Sequence, residues 1–146
     1  MRTAFTGASI ALLVAAGQVP AAEVGSADEA KAMLERVAAA IATDKEAALR
    51  QLSAGTGGFR DRDLYPFCVG PDGNFSAHPA LVGQNLHDLT DKNGKALGVE
   101  LYEAAREGQI AKVDYAWPRP GTATPVAKAI YVTRVDDQVC GVRYYK

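Results

Sequence analysis

The chain changes its hydrophobic rhythm twice. Met33, Leu34, Val37, Ile41, Leu49 and Leu52 recur at helical spacing, so one side of a long amino-terminal helix is apolar. Ser26 followed by Glu29 supplies a capping box at its start, "TDKE" interrupts it in the middle, and Gly55 with "GTGG" ends it. Beyond Gly58 the rhythm shortens to alternation. "DLYPFCV" and "FSAH" flank "GPDGN", which predicts a hairpin over residues 64–78. "PALVGQNLHDLTDKNGK" is punctuated by Pro, Gly and Asn and reads as irregular chain with one helical turn. Residues 96–107 return to helical spacing through Leu97, Leu101, Ala104 and Ala105 and stop at Gly108. Three strands follow, at 110–117, 126–134 and 138–145. Helix, hairpin, helix and three strands predict an α+β fold with an antiparallel sheet.

The first 22 residues stand apart from that pattern. Arg2 opens a positive start, "ASIALLVAAG" is an apolar run too short to span a bilayer, and "VPAA" offers small residues for cleavage. This reads as a secretory signal peptide cut after Ala21 or Ala22, with an uncleaved anchor as the alternative, leaving residues 23–146 as one domain. No later segment is apolar enough to cross a membrane, so the expectation is a soluble, exported protein, periplasmic in a bacterium with two membranes. Sixteen basic residues against seventeen acidic ones form no field that would gather phosphate backbones, which argues against a nucleic-acid partner.

Export changes the meaning of Cys68 and Cys140. In an oxidising compartment the pair is a candidate disulfide. Both sit among apolar neighbours, "PFCVG" and "QVCGV", so two buried free thiols are the alternative.

Candidate chemistry is sparse. Asp91, Asn93, Gly94 and Glu100 sit at loop-like offsets, but with Gly94 in the turn position of an EF-hand the first ligand falls on Leu89, which cannot coordinate calcium. His78 and His87 are nine positions apart with irregular chain between, and neither cysteine stands at zinc-like spacing from them, so neither metal nor cofactor is expected. No nucleophile motif accompanies them, and catalysis through Cys68 or His78 is disfavoured. One face of the strand at 110–117 carries Val113, Tyr115 and Trp117. On the next strand Val126, Lys128, Ile130 and Val132 share a face, which places an ammonium in an aliphatic row. Such a lysine either snorkels from an edge or meets an anion.

Residues 65–145 resemble a single Cache sensor domain, the extracellular module of many bacterial chemoreceptors and histidine kinases. "YPFCVGPDGNFSAHPALVGQNLHDLTDKNGK" is similar to that family's aromatic strand, D-G turn, H-P step, G-x-N-L and D-x-x-G. "VDYAWPRPGTATPVAKAIYV" is similar to its Y-x-W-P-x-P-G hairpin and K-x-x-Y, and "VCGVRYY" to its closing strand. The resemblance implies a long amino-terminal helix packed on a PAS-like antiparallel sheet of about five strands, with a second short helix. It implies that the first and last strands are neighbours, which would bring Cys68 and Cys140 together. It also implies a pocket for a short organic acid, with Tyr65, Phe67, His78, Tyr115, Trp117, Lys128 and Tyr131 as ligand-binding positions. Lys128 would pair the ligand carboxylate. Tyr131 departs from this pattern, because three residues from Lys128 places it on the other strand face unless a bulge intervenes. The partners implied are a small carboxylate and a membrane receptor or kinase. The alternative is a periplasmic interaction module that docks on a receptor through its amino-terminal helix.

Overall fold

The computed structural model describes residues 24–146; the signal-peptide reading of residues 1–22 lies outside the described residues. Helices α1 (Ala27–Thr43) and α2 (Lys45–Ala54) replace the single long amino-terminal helix expected from the sequence. Ser26 and Glu29 form the full capping box at the start of α1. The break falls at Asp44, whose backbone is extended and whose side chain accepts from the Ala47 N–H. That residue therefore ends one helix and caps the next. Gly55 closes α2 in the left-handed region, at φ 70°, where a side chain would be strained.

Five antiparallel strands follow: β1 (Pro66–Val69), β2 (Phe75–Ala77), β3 (Ala111–Pro118), β4 (Pro125–Val135) and β5 (Gln138–Tyr145). Their spatial order is β2-β1-β5-β4-β3, so the first and last strands are neighbours, as the resemblance implied. The 64–78 hairpin is present with a register shift at Cys68/Val69. Between β2 and β3 lie a 3-10 turn at Leu86–Asp88 and helix α3 (Leu97–Ala104). This helix is shorter than the 96–107 expected. Ala105 is already extended, and Arg106 and Glu107 form bridges to Gln109 and Arg134.

Strand alternation separates two cores. Met33, Leu34, Val37 and Ile41 of α1 pack on one face of the sheet, against Cys68, Ala129, Cys140, Val142 and Tyr144. Phe67, Val69, Val113, Tyr115, Ile130, Val132 and Val139 fill the other face beneath Leu86, Leu97 and Leu101. The sheet is covered on both sides, and the second cover is thin and irregular.

Gly98 sets how closely that cover packs. A Cβ built there would stand 1.7 Å from the Leu86 carbonyl oxygen, while the Gly98 N–H donates to the Leu89 carbonyl at 2.9 Å. Gly98→Ala must therefore push α3 off the 3-10 turn. Overpacking of this kind costs about 1–3 kcal/mol, and thermal unfolding followed by circular dichroism is expected to fall by roughly 5–15 °C. An unchanged melting temperature would show that α3 floats freely on the turn.

Candidate functional site

Between the sheet and its thin cover lies a cavity of about 300 Å³. β1 contributes Phe67, β3 contributes Tyr115 and Trp117, and β4 contributes Ile130. The irregular segment and α3 close the opposite side with Leu81, Leu89, Leu97 and Leu101. Its polar lining is confined to His78, Gln84 and Arg143 apart from the Tyr115 hydroxyl and the Trp117 indole N–H. Gly141 leaves the space that the Phe67 ring occupies, since a Cβ there would meet Phe67 Cζ at 2.7 Å and Ile130 Cγ2 at 3.0 Å.

A second, more open hollow of about 320 Å³ adjoins it, with Trp117 and Arg143 lining both. Here Lys92, Arg119, Lys128 and Arg143 converge with Tyr145. Each cation lies over a ring: Lys92 Nζ is 4.6 Å from the Trp117 centroid, Arg119 Cζ 4.1 Å and Lys128 Nζ 4.0 Å from Tyr145, and Arg143 Cζ 4.0 Å from Tyr65.

Lys128 does not snorkel into bulk water. Its residue is only 4% exposed, because antiparallel register sets Tyr115 on one side of it and Tyr145 on the other. Burial pulls its pKa down to about 8; Asp63 opposes that shift and Arg119 adds to it. Arg143 is likewise lowered to about 10 by burial, against the pull of Tyr145 and Asp63. Among the described residues neither cation forms a salt bridge. Two desolvated cations therefore share a wall without a close carboxylate.

His78 is 8% exposed, and its Nδ1 accepts from the Ala80 and Leu81 N–H groups at 2.9 and 3.1 Å. Those two donors fix the neutral tautomer with its proton on Nε2. Burial also lowers the imidazole pKa to about 4, so the ring is neutral at physiological pH. His78 thus caps the turn that follows it, its ring accepting from backbone N–H groups.

Of the seven sequence-derived positions, Phe67, His78, Tyr115 and Trp117 meet at the cavity and Lys128 lies in the adjoining hollow. Tyr65 stands behind them, its ring 5.4 Å from that of His78 in an edge contact and beneath the Arg143 guanidinium. Tyr131 is the correction. It lies on the helix-covered face, stacked 5.2 Å from Tyr144, because β4 carries no bulge between Lys128 and Tyr131 and alternation turns the ring away. Arg143 is the residue that sequence reasoning missed. Its signal was the parity of "VCGVRYY", where Val139, Gly141, Arg143 and Tyr145 share the face opposite Cys140.

Cys68 and Cys140 are joined by a disulfide on the other face of the same strands, directly opposite in register with Cα atoms 4.1 Å apart. Cys68 thus has no free thiol for nucleophilic chemistry. Among the described residues no cluster suited to a metal ion is found, and no helix is long and apolar enough to cross a membrane.

Comparisons with known proteins agree with this architecture. The chain is 39% identical over 56 residues to methyl-accepting chemotaxis protein McpP of Pseudomonas putida, a match covering 38% of this chain and 10% of that protein. It therefore spans about a tenth of the length of that curated relative. A methyl-accepting chemotaxis protein structure from Vibrio parahaemolyticus superposes with a TM-score of 0.63 at 28% identity, over 81% of this chain and 86% of the other. A periplasmic sensor domain of a chemotaxis protein gives 0.58 at 30% identity, over 81% and 88%. A structure described as the basis for carboxylic acid recognition by a Cache chemosensory domain gives 0.54 at 25% identity, over 79% and 84%. The family model for single Cache domain 2 matches residues 25–138, and the chain belongs to that family.

Proposed function

We propose that this protein is a periplasmic sensor module, exported by a leader over residues 1–22, that binds a small carboxylate between its sheet and the α3 cover. The single observation that carries the reading is the buried Lys128 beside Arg143, neither of which forms a salt bridge among the described residues. A buried cation is costly without an anion, and a carboxylate supplies one through charge-assisted hydrogen bonds. In this reading the anion sits at the wall that the two chambers share. Lys128 and Arg143 neutralise it, the Nε2–H of His78 is available as a neutral donor, and Tyr115 and Trp117 shape the apolar side. Tyr65 acts through the groups it touches, holding Arg143 on its face and His78 at its edge. Carboxylic acid recognition by a Cache chemosensory domain of the same fold supports the ligand class, and chemotaxis relatives support a membrane receptor or kinase as the partner that reads occupancy.

A thermal-shift panel of monocarboxylates from two to eight carbons tests the proposal. Saturating ligand is expected to raise the melting temperature. Lys128→Ala is expected to weaken binding by roughly 10- to 100-fold, the usual worth of a hydrogen bond to a charged group. Flat melts across the panel would remove the carboxylate reading and favour a docking module that works through α1.

A further inference from the structure

The two chambers differ in chemistry, and the difference specifies more of the ligand than its charge. The half-open cavity of about 300 Å³ holds roughly ten times the ~30 Å³ that one water takes in the liquid. A two- or three-carbon acid has four or five non-hydrogen atoms and would leave much of that space to water. Water is a poor tenant along its apolar stretch, away from His78, Gln84 and Arg143. Phe75, Leu89, Leu97, Leu101 and Ile130 offer it no hydrogen bonds, and a buried water needs two to four polar partners.

Anion-binding groups are concentrated at one end only. Arg143 and Trp117 belong to both chambers, and Lys128, Lys92 and Arg119 lie beyond them in the open hollow. A ligand that fits the whole space therefore carries its charge at one end and an apolar body at the other.

We infer that the ligand is a monocarboxylate of about six to eight carbons in all, with an apolar body that is aliphatic or aryl. Its head meets Arg143 and Lys128, and its tail lies under α3 between Phe75 and Leu101. This rests on the carboxylate reading above and deepens it. Lengthening the tail replaces water against leucine and phenylalanine with ligand carbon, and each buried methylene is worth about fourfold in affinity.

The test is calorimetric titration of the whole chain with acetate, butanoate, hexanoate, octanoate, decanoate and phenylacetate at one pH and salt concentration. Affinity is expected to climb about fourfold per methylene and to level off between six and eight carbons, with phenylacetate close to that plateau. Leu101→Ala is expected to move the plateau to longer chains, read as a higher ratio of decanoate to hexanoate affinity than in the unaltered protein. Tightest binding at two or three carbons, with loss on lengthening, would overturn the inference and leave the carboxylate reading standing. If no member of the series binds, the carboxylate reading itself falls. Hexanol binding as tightly as hexanoate would likewise overturn the role given to the cations.

Discussion

Replacing Cys68 and Cys140 together by alanine is expected to lower the free energy of unfolding by at least about 4 kcal/mol. The bond closes a loop of 72 residues, and the loss of chain entropy in the unfolded state scales with the logarithm of that length. A domain of this size holds about 5–15 kcal/mol in total, so the change is a large part of its stability. The geometry explains why so long a loop closes without displacing the strands. Cys68 and Cys140 are register partners on adjacent antiparallel strands, both fully buried beneath α1. The strands they join, β1 and β5, are separated by β2, α3, β3 and β4 in sequence.

Urea unfolding of the oxidised protein, the same protein in reductant, and the double variant separates two contributions. Reduction removes only the cross-link, whereas alanine also removes buried sulfur and leaves space behind. The double variant should therefore be the least stable of the three. A difference below about 1 kcal/mol between oxidised and reduced protein would mean that β1–β5 pairing already restricts the unfolded chain as much as the bond does. Because Phe67 lies on β1 beside Cys68 but faces the cavity, a loosened β1 should also weaken ligand binding.

Most of the fold was legible because its signals are local. The capping box, the apolar stripe of α1, the D-G turn and the strand alternation each act within a few residues, and each appears where its pattern stood. The helix break was visible as "TDKE", yet only the extended backbone at Asp44 turns one bent helix into two capped ones. What the sequence withheld was cross-strand. Whether Lys128 snorkels or is caged depends on Tyr145 lying opposite it, and that follows from the β4–β5 register rather than from spacing along β4. The same register sets Arg143 across from Ile130, at the junction of the two chambers. Tyr131 shows the reverse case, since strand parity alone placed it correctly on the far face while the family pattern suggested otherwise. The cysteine pair needed strand order, which the resemblance implied and residue spacing did not.

The affinity for a carboxylate is expected to fall as pH rises through 8 while the empty domain becomes more stable over the same interval. Lys128 has a pKa of about 8 in the folded chain, lowered by burial from an ordinary value of 10.5. Between those two values the unfolded chain binds more protons at this site than the folded one, so unfolding free energy rises with pH. Anion binding has the opposite sign. It needs the ammonium, so above pH 8 each ligand must first return a proton to Lys128, and affinity drops by up to about tenfold per pH unit. Arg143 stays protonated to about 10 and His78 is neutral above about 4, so neither changes charge between pH 7 and 9. Thiols contribute nothing, because both cysteines are bonded. Titrating ligand at pH 7, 8 and 9, alongside melts of the empty protein, should give slopes of opposite sign. Lys128→Arg keeps a permanent charge and should flatten the affinity profile; Lys128→Met should flatten both profiles and bind weakly throughout. An affinity that stays constant from pH 7 to 9 in the unaltered protein would place the carboxylate on Arg143 alone and leave Lys128 as a packed wall of the hollow.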